Sequence, residues 1–214
     1  DMGGSRVVIF TRDGIVQRMI YPAGGSNFNR AEEVCADSSY VYVLNIVDSV
    51  KGSGVEREEV RRFLKNGKFD RVIYSRDCKG KNPPFRKGSI SEMKAAGGLL
   101  TFYLISPEGV DYIAVDTNSG AVSQEPLVPA AGEGAFIQGI RHDESRIVYL
   151  TLNGEIVSAP RDGKPEVIYR ADGDIKSGPS FPSGLAVIEG GSVVFCDLEK
   201  KAMMRIDEPG EVLE

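Results

Sequence analysis

Residues 58–75, EEVRRFLKNGKFDRVIYS, read as two short strands joined by a tight turn. Val, Phe, Ile and Tyr in short runs favour extended backbone, and Asn66-Gly67 between the runs supplies the positive φ that closes a hairpin. The arrangement recurs at Asp13-Gly14, Asn118-Ser119-Gly120, Asp162-Gly163 and Pro209-Gly210. Successive turn glycines are separated by 53, 53, 43 and 47 residues.

A second column runs alongside the turns. The segments AEEVCADSSYVYVL, ISEMKAAGGLLTFYL, IQGIRHDESRIVYLT and PSGLAVIEGGSVVFC align without a gap on Val34, Met93, Ile140 and Leu185. Each reads as a strand, a polar or glycine-rich hairpin and a more apolar strand, so one period holds four antiparallel strands. A period in the forties with four strands predicts an all-β chain, a single β-propeller domain over residues 1–214. Complete blades are expected at 29–75, 87–130, 135–172 and 180–214. DMGGSRVVIF registers on DLEKKAMMRI at 197–206, so residues 1–22 form a partial blade without its two inner strands. This predicts a fragment of a longer propeller, or a ring whose gap a partner or symmetry mate covers, with self-association through the open blade edge as one outcome. One segment reads two ways. Residues 55–64, VEREEVRRFL, have Val60, Phe63 and Leu64 at helical spacing, whereas the repeat register favours a strand.

Composition narrows the chemistry. The 214 residues carry 26 Lys and Arg against 31 Asp and Glu, a formal charge of −5 with no basic block, which argues against nucleic acid as a partner. A single His removes multi-imidazole metal centres. The lack of Trp removes WD repeats, quinone-dependent dehydrogenase propellers and sialidase Asp boxes, and there is no Gly-x-Ser-x-Gly elbow. His142 sits at a strand end entering its hairpin and reads as a turn-proximal residue. The glycine pairs Gly24-Gly25 and Gly190-Gly191 and the Gly52-Ser53-Gly54 stretch lack phosphate-loop spacing and read as turns. Cys35 and Cys196 lie in strand runs and read as small hydrophobes, whereas Cys78, between Asp77 and Lys79, is expected to be an exposed thiol. No run approaches the roughly 18 apolar residues of a membrane span.

The phrases SRVVIFTRDGIV, AEEVCADSSYVYVLN, RRFLKNGKFDRVIY and FPSGLAV, with the loop KGSGVERE at 51–58, resemble the NHL-type propellers found outside the membrane in bacterial, mainly Firmicutes, signalling proteins ahead of GGDEF diguanylate cyclase or related output domains. The resemblance implies a non-catalytic, extracytoplasmic sensor module at the cell surface. It would be tethered by membrane segments absent from this chain, and would recognise a small ligand or a protein.

The repeat also says where a ligand would sit. Two places before the apolar column stand Glu32, Ser91, Gln138 and Ser183, and side chains two apart on a strand share a face. The first residues of innermost blade strands surround the channel mouth, so these four form the candidate binding set. Asn29, Arg30, Glu33 and Glu92 add hydrogen-bonding groups and charge beside them. No catalytic residue, resident metal or cofactor is expected. The competing reading is an SMP-30-like metal-dependent lactonase or hydrolase holding Ca²⁺ through oxygen ligands, for which Glu32, Glu33 and Glu92 are available. A third is a scaffold that grips a protein partner across its rim loops.

Overall fold

The computed structural model describes residues 6–21, 30–48, 55–78, 89–106, 109–129, 137–142, 146–151, 154–160, 164–170, 182–188, 191–197, 201–207 and 211–213. Every regular element among them is a strand. The chain divides into two compact units, Asp1–Pro129 and Ala130–Glu214.

The first unit opens with β1 (Val7–Phe10) and β2 (Val16–Ile20), a two-stranded antiparallel sheet. A four-stranded meander follows, made of β3 (Arg30–Ala36), β4 (Tyr40–Asp48), β5 (Val55–Leu64) and β6 (Phe69–Asp77). A second meander is built from β7 (Ser89–Ala96), β8 (Leu99–Ser106), β9 (Gly109–Asp116) and β10 (Val122–Pro129). The second unit holds two more meanders. One comprises β11 (Ile137–His142), β12 (Arg146–Thr151), β13 (Glu155–Pro160) and β14 (Glu166–Arg170); the other comprises β15 (Pro182–Val187), β16 (Val193–Asp197), β17 (Ala202–Asp207) and β18 (Glu211–Leu213). The expected strand grouping is therefore observed, including an N-terminal sheet of two strands among the described residues.

The turn chemistry is that of the sequence. Gly14 and Gly67 take φ of 79° and 83° in matched hairpins, where the amide of Gly14 donates to Thr11 O and that of Gly67 to Leu64 O. Gly120 takes φ 79°, closed by its amide on Asp116 O. Asp162-Gly163 and Pro209-Gly210 lie outside the described residues, as do Gly24-Gly25, the loop at 51–54 and Gly190.

Residues 55–64 form strand β5, not a helix. Both its edges are occupied, by β4 and β6, and its charges find partners within the sheet: Arg57 and Arg61 each meet Glu59, at 2.7 and 2.8 Å, and Arg76 meets Glu58 at 2.8 Å. Tertiary pairing overrides the helical spacing.

Cores form where sheets meet. In the first unit Tyr42, Leu44, Ile46 and Val60 pack with Ile90, Met93, Leu100, Phe102, Ile113 and Val115. On the other face of the β3–β6 sheet, Val41, Val43 and Phe63 bury Ile20, with Val7, Ile9 and Phe69 against them. In the second unit Val148, Leu150, Ile156 and Tyr169 pack against Leu185, Val193, Phe195, Met204 and Ile206. The β3–β6 meander thus has two apolar faces, as a stacked blade requires.

Arg62 ties two sheets of the first unit. Its guanidinium lies 4.1 Å over the Tyr40 ring, pairs with Asp70 and donates to the carbonyl of Thr117 at the start of the β9–β10 turn. Arg71 donates to Thr117 O and Asn118 O, both at 2.7 Å. Cys78 departs from expectation. It is 6% exposed: its amide donates to Glu56 O at 2.9 Å, and this extra pairing beyond the end of β6 carries the side chain inward.

Candidate functional site

The first strand of every meander carries a β-bulge near its start. In β3 Ala31 faces Asn45 and Glu33 faces Leu44, so Glu32 is the extra residue. In β11 Ile137 faces Thr151 and Gly139 faces Leu150, leaving Gln138. In β7 the residues Glu92 and Met93 together oppose Phe102, and in β15 Gly184 and Leu185 oppose Phe195. Bulges release backbone groups from the ladder and re-aim side chains, and they concentrate beside sites.

The apolar column aligns as expected: Met93 and Leu185 are 5% exposed and Ile140 is fully buried. Val34 is 51% exposed, although it occupies the same register position opposite Val43. The polar column two places earlier splits. Ser91 and Ser183 sit in regular pairs with Tyr103 and Cys196, whereas Glu32 and Gln138 are the bulged residues. In cross-strand register, Glu33 and Gly139, which oppose Leu44 and Leu150, are the counterparts of Ser91 and Ser183.

Within the first unit these residues form a connected set. Arg30 Nε donates to Glu32 Oε1 at 2.7 Å, and its Nη1 lies 3.8 Å from Asp48 Oδ1 at the end of β4. Both Arg30 and Glu32 are partly exposed. Glu33 does different work: its Oε1 accepts the amide of Met93 at 2.6 Å, linking β3 to β7. The β7 bulge accounts for this contact, because it takes Met93 N–H out of the β7–β8 ladder and leaves it needing an acceptor. Glu92 takes φ 61°, a left-handed conformation uncommon for a residue with a side chain. Ser91 is half-buried. Asn29 and the side chains of Gln138, Ser183 and His142 lie outside the described residues. Among the described residues, no group of three or more His, Cys, Asp or Glu is placed to hold a metal ion.

The acid–base character of this edge follows from burial and from these contacts. Burial pushes the Cys35 thiol up to about 12, with the carboxylates of Glu33 and Asp37 adding to the effect, so it stays protonated. At the far end of β3, burial opposes ionisation of Asp37. The Tyr42 hydroxyl, at 2.7 Å, and the amides of Ser39 and Tyr40 outweigh it and hold the carboxyl below its usual value. Sequence reasoning missed Asp48 as a member of the set. Its place at the strand end opposite the start of β3 was the available signal.

No protein-family model matches the chain, and no curated protein matches it in sequence. Solved structures do match in shape. A catalytically inactive virginiamycin B lyase from Staphylococcus aureus, solved with quinupristin, superposes with a TM-score of 0.54 at 14% identity, over 98% of this chain and 62% of that one. A candidate 6-phosphogluconolactonase from Bacteroides uniformis gives 0.58 at 12% identity, over 97% and 62%. A protein from Lactobacillus plantarum gives 0.57 at 14% identity, over 99% and 64%. The chain spans less than two thirds of the length of each. With the four-stranded antiparallel meanders already described, the likeness establishes that this chain has the β-propeller fold.

Proposed function

We propose that the chain is a binding propeller region, non-catalytic, which recognises a small polar ligand where the first strands of its blades begin, and that it serves as the extracytoplasmic sensor of a membrane-anchored signalling protein. One observation carries the binding part: all four first strands are bulged at the same stretch, and the displaced residues include Glu32, Glu92 and Gln138. Regular strands would be the simpler way to build a blade, so a repeated departure beside polar residues favours a site. The Arg30–Glu32–Asp48 set offers a cation and two carboxylates, suited to a ligand with both donors and acceptors, such as an amino acid, a sugar or a peptide end. Glu32 and Glu33 are each engaged, with Arg30 and with the Met93 amide, which favours recognition over general acid–base work. The sensor part rests on the NHL-type resemblance.

A thermal-shift screen of amino acids, sugars, short peptides and Ca²⁺ tests this. A stabilising compound is expected, and Glu32→Gln is expected to abolish the shift while leaving the unliganded Tm nearly unchanged. A calcium shift accompanied by lactone turnover would overturn the reading in favour of a metal-dependent hydrolase. A screen without any stabilising compound would favour a protein-binding scaffold.

A further inference from the structure

Glu92 stands where the repeat asks for glycine. Among the described residues, two that carry a side chain take φ in the left-handed region: Lys201, at 54° in the exposed turn ahead of β17, and Glu92, at 61° inside strand β7. There Glu92 and Met93 oppose the single residue Phe102, and in β15 Gly184 and Leu185 oppose Phe195 in the same way. A two-against-one bulge whose first residue is left-handed is the kind that takes glycine at that place. The aligned positions in β11 and β15 hold Gly139 and Gly184, whereas β7 holds a glutamate. A conformation unfavourable for a side chain persists where its surroundings impose it, and such positions cluster at ligand sites. The imposing contact here is the bond from the Met93 amide to Glu33 Oε1, at 2.6 Å, which reaches across from β3 and fixes the peptide that follows Glu92.

A second observation says what the glutamate meets. Arg30, Ile46, Glu58 and Arg76 form one row across β3, β4, β5 and β6, and so lie on one face of that sheet. Ile46 packs with Ile90 and Met93, so this is the face turned to β7. Glu58 is fully buried on it, and although its Oε2 accepts from Arg76, its Oε1 has no hydrogen-bond partner. A buried acceptor left open calls for a donor. The charge balance agrees, since the carboxylates of Glu32, Glu33, Asp48, Glu58 and Glu92 gather at this end of the two sheets against the guanidinium groups of Arg30 and Arg76. Lys94, the next cation along β7, pairs with Thr101 past the bulge, on the side of its sheet away from Phe102. These side chains are not grouped to hold a metal ion, so the cation that complements them is an organic one with N–H donors.

We infer that Glu92 is the specificity-determining residue of the proposed site, receiving an ammonium group of a diamine or polyamine, and that Glu33 is its positioning residue. The inference rests on the binding reading given above and narrows its ligand to an organic cation. Glycine would make the same backbone turn without strain, so the glutamate is kept for its carboxylate rather than for its backbone. Glu33, engaged by the Met93 amide, acts on the ligand only through the conformation it imposes on Glu92.

The test is a thermal-shift titration of the 214-residue chain with spermidine and butane-1,4-diamine, beside hexane-1,6-diol, glucose and butyrate. Expected is a Tm rise of about 5 °C at saturating amine and none with the diol. Glu92→Gly is expected to abolish the amine shift while its unliganded Tm equals or exceeds the parent's, because the strain leaves with the side chain. Glu92→Ala keeps the strain, and is expected to abolish the shift and to melt below Glu92→Gly. Glu33→Gln, which keeps an oxygen for the Met93 amide, is expected to retain most of the shift that Glu33→Ala loses. An amine shift of the same size in Glu92→Gly as in the parent, the mark of general screening of an acidic chain, would overturn the inference. So would Glu92→Gly melting below Glu92→Ala, which would make the side chain a packing element. Stabilisation by glucose or butyrate through Glu32 but by no amine would overturn the amine assignment and leave the binding reading standing; stabilisation by none of the compounds would overturn both.

Discussion

Glu33 on β3 accepts the backbone amide of Met93 on β7 at 2.6 Å, so a carboxylate from one blade completes the ladder that a bulge interrupts in the next. Glu33→Ala leaves a buried donor without this acceptor and is expected to lower stability by about 1–3 kcal/mol. Glu33→Gln, which keeps an oxygen in place, is expected to lose less. Urea denaturation of the two variants checks the order.

Phe63 and Phe10 make a matched pair of substitutions. Phe63→Ala empties a fully buried site between two sheets and is expected to cost about 3–5 kcal/mol. Phe10→Ala, at the equivalent but exposed position, is expected to stay within roughly 0.5 kcal/mol. Equal losses would show that the β1–β2 sheet is covered in solution.

Arg62 satisfies Asp70 and Thr117 O while stacking on Tyr40. A lysine ammonium cannot fill that planar fork. Arg62→Lys is expected to lose stability almost as far as Arg62→Met, roughly 2 kcal/mol or more, because a buried carbonyl and Asp70 both lose a planar partner. Full recovery by lysine would show that charge alone matters at this position.

Among the described residues, three carboxyls sit below the ordinary aspartate value of 3.8. Asp37 does so against burial, through the Tyr42 hydroxyl and the Ser39 and Tyr40 amides; Asp116 through the amide and hydroxyl of Ser119 and the amide of Asn118; Asp207 through the Ser192 hydroxyl and Arg205. A depressed folded-state value stabilises the protein above the unfolded pKa, and that stability is lost as pH falls through the folded value. The urea midpoint is expected to hold down to about pH 4 and to drop below it. Asp37→Asn should make the drop shallower.

Cysteine accessibility gives a further measurement. Cys78 is buried and the Cys35 thiol is pushed up to about 12, so at pH 8 neither is expected to react rapidly with a thiol reagent in the folded state. Unfolding in guanidinium should release three reactive thiols per chain. Rapid titration of more than one thiol in the folded protein would contradict the structure.

Strand grouping was legible because turn glycines and apolar runs are local signals: Gly14, Gly67 and Gly120 need only their own φ to be placed. The column Val34, Met93, Ile140 and Leu185 was legible because the hairpins after the first strands are similar in length. The polar column was only partly so. A bulge adds one residue without a sequence mark, and it falls on Glu32 in β3 but on Glu92 and Met93 in β7, so equal spacing from the apolar column does not give equal orientation. Cys78 was misjudged because its charged neighbours suggest a loop, whereas pairing with Glu56 extends the sheet past the end of β6.

Strand β5 carries charge on both faces: Arg57, Glu59 and Arg61 alternate along one, and Glu58 meets Arg76 on the other with no exposure at all. A one-residue slip would exchange the faces and drive Glu58 among apolar side chains of the opposite sheet contact. The strand therefore proofreads its own alignment electrostatically. It is also a poor seed for aggregation: if the sheet opens, what emerges is a segment that water readily takes back and that an uncharged foreign strand cannot match, in contrast to the wholly buried β12 of the second unit, whose middle run Ile147–Leu150 is uncharged.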